Sequence, residues 1–156
     1  MNDGLMRFMR AHGQEPAPGQ RPIIAGALAG LCAGIALLPL LFFSESVASL
    51  TAALGVSNEV VAGAYPALTT FAGGVYGAVF RRAANDRRGG WLFGVSYGFL
   101  LWMLGPITLL QAILGRPLAT GIAAIGLLAA NLLSGLILGL LFRPMHRITQ
   151  LRSRAL

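Results

Sequence analysis

Charged side chains are scarce in this chain of 156 residues, and lysine is absent. Five acidic residues and twelve arginines give a net charge of +7. The stretches 22–43, 60–80, 91–110 and 121–142 contain no Asp, Glu, His, Lys or Arg at all. Proton relays, voltage sensors and ion-coupled pumps place ionisable groups within such stretches, so the sequence disfavours those classes.

Groups that bind metals or attack substrates are equally sparse. Cys32 is the only cysteine, which rules out an intramolecular disulfide and a thiol metal cluster. His12 and His146 lie outside the uncharged stretches and lack the companions of a metal site. No nucleophile–base spacing or phosphate-binding loop is present. We expect no catalytic, metal or cofactor site and no enzymatic activity, with a haem or chlorophyll on His146 as the alternative left open.

The preference for arginine over lysine is typical of a GC-rich bacterial genome and indicates a bacterial protein. In a soluble protein, a net charge of +7 would indicate nucleic-acid binding. Here the arginines flank apolar stretches, where they orient helices and meet anionic lipid headgroups. The bilayer is therefore the expected partner, and nucleic acid is not.

Apolar length is what the chain has in abundance, with 56% hydrophobic residues and a mean hydropathy of +0.71. Each uncharged stretch has roughly 20 residues, which at ~1.5 Å per residue covers the ~30 Å hydrocarbon core of a bilayer. The sequence predicts an all-α polytopic membrane protein with four transmembrane helices over these ranges, which together form a domain at 22–142. Residues 1–21 and 143–156 are the N-terminal segment and a basic C-terminal segment.

Eleven of the twelve arginines lie on one side of the predicted spans. The two connections on the other side hold only Arg116, together with Glu45 and Glu59. The positive-inside rule then makes both termini and the middle loop cytoplasmic, in a multi-pass protein of the bacterial inner membrane. The arginines expected at lipid headgroups are Arg81, Arg82, Arg87, Arg88, Arg143, Arg147, Arg152 and Arg154.

Smaller features predict departures from four plain spans. Apolar residues at helical spacing within 44–58 predict a short helix on the outer surface. Pro66 should kink the second span, and Gly105-Pro106 should break or bend the third. Pro144 should end the fourth span, after which a basic amphipathic helix would lie along the cytoplasmic surface.

The chain also repeats itself. A Gly-x-x-x-Gly pair, a proline, a Leu-Gly turn, a second Gly-x-x-x-Gly pair and a Phe-Arg recur in the same order, at offsets of 60 to 67 residues. This order indicates an internal duplication. Each unit has two spans, so both units enter the membrane in the same direction. We predict two duplicated helical hairpins related by a pseudo-two-fold axis along the membrane normal.

Glycines four residues apart let membrane helices approach closely, because spans associate through dispersion contacts rather than hydrophobic expulsion. The glycines predicted to pack helices are Gly26, Gly30, Gly34, Gly73, Gly77, Gly94, Gly98, Gly135 and Gly139. A compact bundle is the preferred interpretation. A site for a flat ligand or a neighbouring subunit against the same grooves is the alternative.

Asn131 is the most polar residue deep within a predicted span, and Ser134 shares its helix face. A buried amide in hydrocarbon needs partners, which we expect on the neighbouring spans. The intramembrane polar residues considered are Thr69, Thr70, Ser96, Tyr97, Asn131 and Ser134. We interpret them as a structural clamp, with a solute-binding site as the alternative.

One stretch resembles a known type of protein. Gly90-Trp91-Leu92-Phe93-Gly94-Val95-Ser96-Tyr97-Gly98, followed by Leu104-Gly105-Pro106, is similar to the signature of small, uncharacterised bacterial inner-membrane proteins of the YagU-like type. The resemblance implies a small polytopic membrane protein. It brings no activity and no functional residues.

The sequence favours a non-catalytic membrane protein, a structural or accessory subunit that packs against partner membrane proteins or copies of itself. The alternative is an oligomeric channel or carrier for a small neutral solute. A contiguous polar lining around a subunit axis would favour the channel. Glycine faces buried against other protein would favour the accessory subunit.

Overall fold

Five helices make up the described parts of the chain in the computed structural model, which are residues 22–80, 90–115 and 121–154, with side chains as far as Ile148. The helices are α1 (Pro22–Phe43), α2 (Ser46–Leu54), α3 (Asn58–Val79), α4 (Gly90–Leu114) and α5 (Gly121–Arg154). No strand occurs among these residues, so the all-α prediction is confirmed. The N-terminal segment 1–21 and the loop 81–89 lie outside the described residues.

Three helices are long and apolar enough to cross a membrane: α1, α4 and the Gly121–Ile148 part of α5. Helix α3 meets the same requirement only when it is joined to α2, from which it is bent by 105°. Helix α3 is less apolar than those three helices because it contains Tyr65, Pro66, Thr69 and Thr70. The described helices are therefore those of a multi-pass membrane protein with three spans, or four if the bent pair forms one.

The short helix predicted between the first two spans is present as α2. Val47 and Leu50 are buried beneath it. The turn that leads into α2 places Glu45 in the left-handed region, at a φ of 57°. That conformation costs a residue with a side chain roughly 1–2 kcal/mol, so the turn is held by its surroundings rather than by local preference.

Helix α4 changes its winding at Gly105-Pro106. Met103–Leu110 is a π-helix between the α-helical segments Gly90–Trp102 and Gln111–Leu114. Pro106 supplies no backbone N–H, and a local π-helix is one way to accommodate that loss within a membrane helix. The sequence predicted that Gly105-Pro106 would break or bend the span; the winding changes there instead, and the chain stays helical to Leu114.

Helix α5 continues through Pro144 as a single helix of 34 residues. The sequence predicted that Pro144 would end the span, and the helix does not end there. A proline removes one helical hydrogen bond, whereas Phe142 and Met145 on either side of it pack against the core and hold the two parts together. At ~1.5 Å per residue the helix is about 51 Å long, more than the ~30 Å of hydrocarbon.

The helices enclose two cores, named after the predicted orientation. The inner core consists of Ala25, Ala29, Tyr76, Tyr97, Leu138 and Phe142. The outer core consists of Leu41, Val47, Leu50, Val61, Leu127 and Ala130. In the inner core, the start of α1 lies with the end of the apolar part of α5. In the outer core, the end of α1 lies with the start of α5. Helices α1 and α5 are therefore antiparallel neighbours, with α3 packed on α1 and α4 packed on α5.

Candidate functional site

A glycine seam joins α1 to α3. Its glycines are Gly26, Gly30, Gly34, Gly73 and Gly77. A Cβ added to Gly30 would lie against the Thr69 carbonyl oxygen and 3.1 Å from the Gly73 Cα. A Cβ added to Gly77 would lie 2.7 Å from the Pro22 carbonyl carbon. Because the two backbones touch, no larger residue fits at these positions.

A second glycine seam joins α4 to α5 through Gly94, Gly98, Gly135 and Gly139. A Cβ added to Gly94 would lie 2.8 Å from the Gly139 Cα, and one added to Gly139 would lie 2.6 Å from the Gly90 oxygen. All nine glycines singled out in the sequence therefore lie at contacts within the chain. These grooves are occupied by the protein's own helices, so a neighbouring subunit has to pack elsewhere.

The two seams have the same register. Gly94 and Gly98 lie 68 residues after Gly26 and Gly30, and Gly135 and Gly139 lie 62 residues after Gly73 and Gly77. The internal repeat read from the sequence instead pairs Gly30-x-x-x-Gly34 with Gly94-x-x-x-Gly98. That pairing is one helical turn away from the register of the contacts. In the contact register, Trp102 of α4 occupies the place that Gly34 has in α1.

The second seam ends at Trp102, and α4 is only partly covered beyond it. Trp102, Leu110 and Leu114 pack against the outer core, but no residue from Met103 to Leu114 is buried. In the most apolar stretch of 18 residues in each helix, the buried share is 11% in α4, compared with 39% in both α1 and α5. A Cβ added to Gly105 would meet nothing within 4 Å. The outer half of α4 is thus poorly covered by the rest of the described bundle.

Tyrosine hydroxyls provide polar links between helices. Tyr97 of α4 donates a hydrogen bond to the Ala72 carbonyl of α3 at 2.8 Å. Tyr76 donates to the Gly90 carbonyl at 3.4 Å. The sequence analysis singled out Tyr97 but not Tyr76. The same reasoning applies to Tyr76, because the hydroxyl of any tyrosine in an apolar stretch needs a hydrogen-bond partner in hydrocarbon.

The amide of Asn131 has a different partner from those expected on neighbouring spans. Its Nδ2 donates to the Leu127 carbonyl, one turn earlier on α5, at 2.8 Å. Thr69 and Thr70 likewise donate to the Pro66 carbonyl of their own helix, at 3.0 and 2.6 Å. Short polar side chains reach the preceding turn readily, so the helix competes with its neighbours for these donors.

Three polar residues of α3 and α5 lie near the middle of the bundle, and we call them the midplane cluster: Tyr65, Asn131 and Ser134. Tyr65 of α3 donates to the Ala130 carbonyl of α5 at 3.5 Å and is hydrogen-bonded to the Ser134 hydroxyl. Asn131 lies one turn before Gly135, with its carbonyl oxygen against Gly98. Each member is partly exposed. Ser96, in contrast, is exposed on the outside of α4.

An aromatic cluster joins α3, α4 and α5 at the inner end. Its rings are Tyr76, Phe80, Phe93, Tyr97, Phe142 and His146. The Tyr76 and Tyr97 rings lie 5.3 Å apart, and His146 stacks on Phe142 at 5.9 Å. The His146 ring, the one position left open for a pigment, therefore belongs to this packing. Where α4 has Phe93 and Tyr97, the matching residues of α1 are alanines.

A buried pair of serines was not foreseen from the sequence. Ser44 and Ser46 are 5% and 0% exposed, and their hydroxyl oxygens lie 2.8 Å apart. Ser46 donates to the Ala123 carbonyl at 3.0 Å, and Gly126 leaves room for both side chains. The pair fastens the turn before α2 to the start of α5.

The remaining residues from the sequence lie apart from these features. Within the part of the chain that the structure describes, no three His, Cys, Asp or Glu residues come together as metal ligands. Arg143 and Arg147 follow the apolar part of α5, with Arg143 partly buried and Arg147 exposed. Arg152 and Arg154 lie in the last turns of α5, and the four arginines of 81–89 lie outside the described residues.

Comparisons with protein-family models, with curated proteins and with solved structures give no match. The resemblance to YagU-like proteins therefore stays a prediction. The function has to be argued from the geometry of the described residues.

Proposed function

We propose that the chain is a four-span protein of a bacterial inner membrane, with both termini in the cytoplasm. In this proposal it is a non-catalytic accessory subunit that packs against partner membrane proteins or copies of itself. The matching register of the two glycine seams supports two duplicated hairpins. Contacts with α1 run along α3 from Pro66 to Gly77, so the two helices lie side by side. These contacts support α3 as a membrane span, which brings the number of spans to four.

The observation that carries the proposal is the exposed face of the outer half of α4, which includes Leu104, Ile107 and Ile113. Lipid covers any apolar helix, but this segment combines exposure with a π-helix around Pro106 and an open notch at Gly105. Neighbouring helices are one means by which a membrane protein covers backbone groups that a proline frees. Small residues at such a surface also let a second helix approach closely. A partner helix against α4 satisfies both requirements.

The filled inner core argues against a path for a neutral solute within a single chain. Tyr76, Tyr97 and Phe142 fill the space between the helices at that end, and their rings are in mutual contact. A solute path would then have to run between copies of the chain. The exposed side chains of Met103–Leu114 are apolar apart from Thr108, so they give such a path no contiguous polar lining, which favours the accessory subunit.

Cysteine cross-linking in native membranes tests the proposal. In a Cys32→Ser background, Leu104→Cys and Ile113→Cys place single thiols on α4, at positions 59% and 68% exposed. Phe71→Cys, at a position 74% exposed on α3, is the matched control. We expect cross-linked species from both α4 positions and none from the control. Equal cross-linking from α3, or a protein that purifies alone as a monomer and cross-links nowhere, would refute the proposal.

A further inference from the structure

The last turns of α5 form a basic arm, residues 143–154, that continues the span as one helix through Pro144. An amphipathic helix that lies on the membrane surface has to turn sharply after its span. Where this chain turns sharply, between α2 and α3, the helix is interrupted and its two parts are bent by 105°. Helix α5 has no such break, so the basic arm leads away from the membrane.

The basic arm is longer than the headgroup layer is thick. At ~1.5 Å per residue, Ile148 lies ~9 Å and Arg154 ~18 Å beyond Phe142, where the apolar part of α5 ends. The headgroup layer on each side of the hydrocarbon is only about 5–7 Å thick. Arg143 is therefore at the level of the headgroups, whereas the arm from Ile148 onward lies beyond them. Lipid covers the start of the arm and not its end.

A basic ridge and an apolar side chain lie next to each other on the arm. Arg143 and Arg147 are four residues apart and so share one face, and Arg154 follows two turns later. Ile148, beside this ridge, is 58% exposed although it lies outside the hydrocarbon. Met145, in contrast, packs against the inner core. The bundle thus holds the base of the arm and leaves Arg147 and Ile148 exposed.

Carboxylates are scarce on the side of the chain where the arm lies. Among the described residues the only acidic side chains are Glu45 and Glu59, and both belong to the outer end. The segments predicted to be cytoplasmic carry eleven arginines but only three acidic residues, Asp3, Glu15 and Asp86. The arm of a second copy would bring like charges together. Complementary charge for the arm therefore has to come from a different molecule.

The apolar side chain and the arginines together restrict what that molecule is. Nucleic-acid phosphates would pair with the arginines but would leave Ile148 without an apolar contact. When two helices pair, apolar side chains form the contact and charged residues beside it pair with opposite charges. We propose that the basic arm docks an acidic amphipathic helix of a partner protein, with carboxylates against Arg147 and apolar side chains against Ile148. The proposal deepens the accessory-subunit function and rests on it for the cytoplasmic position of the arm.

A fluorescent label at position 148 tests the proposal. In a Cys32→Ser background, Ile148→Cys carries a bimane label, and the protein is placed in nanodiscs that contain phosphatidylglycerol. Leu140→Cys is the matched control, because Leu140 is 57% exposed on the same helix but lies within its apolar part. We expect acrylamide, a water-soluble quencher, to reach the label at 148 and not the label at 140. A synthetic helical peptide with leucine and glutamate at heptad spacing should then protect the label at 148 saturably.

Substitution of Arg147 tests whether the arginines bind the peptide. Arg147→Glu should raise the apparent Kd of the peptide at least tenfold, because like charges then face each other. Circular dichroism establishes that the variant is folded, and Arg147→Gln, with a smaller increase in Kd, replaces it if it is not. Arg116→Glu is the control, since Arg116 belongs to an outer connection and should leave the Kd unchanged.

Three results would overturn the proposal. If the bilayer alone protects the label at 148 as well as the one at 140, the membrane is the partner of the arm. If the peptide gives no protection, or protection that Arg147 substitutions leave unchanged, the arm does not dock an acidic helix. If a single-stranded oligonucleotide protects the label more strongly than the peptide, the partner is nucleic acid. Nanodiscs expose both faces of the protein and the α4 cross-links are measured separately, so this proposal and the accessory-subunit function can fail independently.

Discussion

Glycines in this bundle fall into two kinds, according to what a side chain would meet. At Gly77 and Gly139 a Cβ would run into the backbone of the facing helix. At Gly63 and Gly105 it would meet nothing within 4 Å. The first kind sets the distance between helices, whereas the second has no close neighbour within the described residues. The same residue type therefore predicts opposite effects of substitution.

Gly77→Leu and Gly139→Leu should each lower the melting temperature in detergent, by similar amounts. Both positions lie near the inner end of a seam, and overpacking of this kind costs typically ~1–3 kcal/mol. Gly63→Leu is the matched control in α3, and it should leave the melting temperature unchanged or raise it, because leucine is the better helix former. If only one seam substitution destabilises the protein, the two hairpins are not equivalent.

The sequence predicts the seam glycines well and the repeat register poorly. Four-residue spacing of glycine is sufficient to identify a close helix contact. Helix α1, however, has glycines at 26, 30 and 34, so two alignments with the pair in α4 are equally regular. Only the facing helix distinguishes them. The partner of Asn131 was not predictable for a related reason, since a carbonyl of its own helix is always within reach.

Among the elements, α1 has the bounds that its apolar stretch predicts, from Pro22 to Phe43. Proline at the first position and the charged Glu45 just beyond the end explain why. The end of α5 was less predictable. Pro144 is a stop signal locally, but the packing of Met145 and Phe142 against the inner core outweighs it. Tertiary contacts of that kind leave no mark in the local sequence.

The start of α3 depends on pH through Glu59, one residue before the apolar stretch. A hydrogen bond from Ser57 and the backbone of the first turn lowers the pKa of the Glu59 carboxyl. Since the folded pKa is lowered, the stabilisation is present above the unfolded value, near 4.5, and is lost as pH falls through the folded value. Glu59→Gln should lower the melting temperature slightly at pH 7.

The difference between Glu59→Gln and the parent protein at pH 7 should disappear at a pH below the folded pKa of Glu59, where the carboxyl is protonated. Thermal unfolding followed by circular dichroism at both pH values provides the measurement. Glu45→Gln is the control, because Glu45 is the N-cap of α2 but its side chain makes no capping hydrogen bond. A pH-independent difference at Glu59 would show that the carboxylate charge plays no part.

For the whole molecule, the arginine distribution predicts the orientation. Reporter fusions at Gly4, Ala84 and Ala155 should report cytoplasm, and fusions at Ala52 and Pro117 should report the outside, because arginine-rich segments are retained. Alkaline phosphatase and a fluorescent protein, fused in parallel, give opposite readouts at each position. A periplasmic signal from the Ala155 fusion would mean that the number of spans is odd, as it would be if α3 did not cross.

At this scale the sequence predicts the pairing of α1 with α3 and of α4 with α5, but not that α1 and α5 are neighbours. Uncharged length indicates membrane helices, and the arginines indicate their direction. The antiparallel contact between α1 and α5 depends on alanines such as Ala25 and Ala29, which are unremarkable in an apolar stretch. The matching positions in α4 are aromatic, so the two sides of the bundle are filled differently. That difference becomes meaningful only once the contacts are known.

Because α1 and α5 are antiparallel, the first span begins where the apolar part of the last one finishes, with Ala25 and Phe142 in one core. The two ends of the membrane domain are thus neighbours. Each glycine seam holds its own pair of helices, α1 with α3 and α4 with α5. We therefore expect the order of the two pairs along the chain to be interchangeable. A circularly permuted chain that begins with α4 and α5, and continues into α1 through a short linker, would retain both seams and both cores.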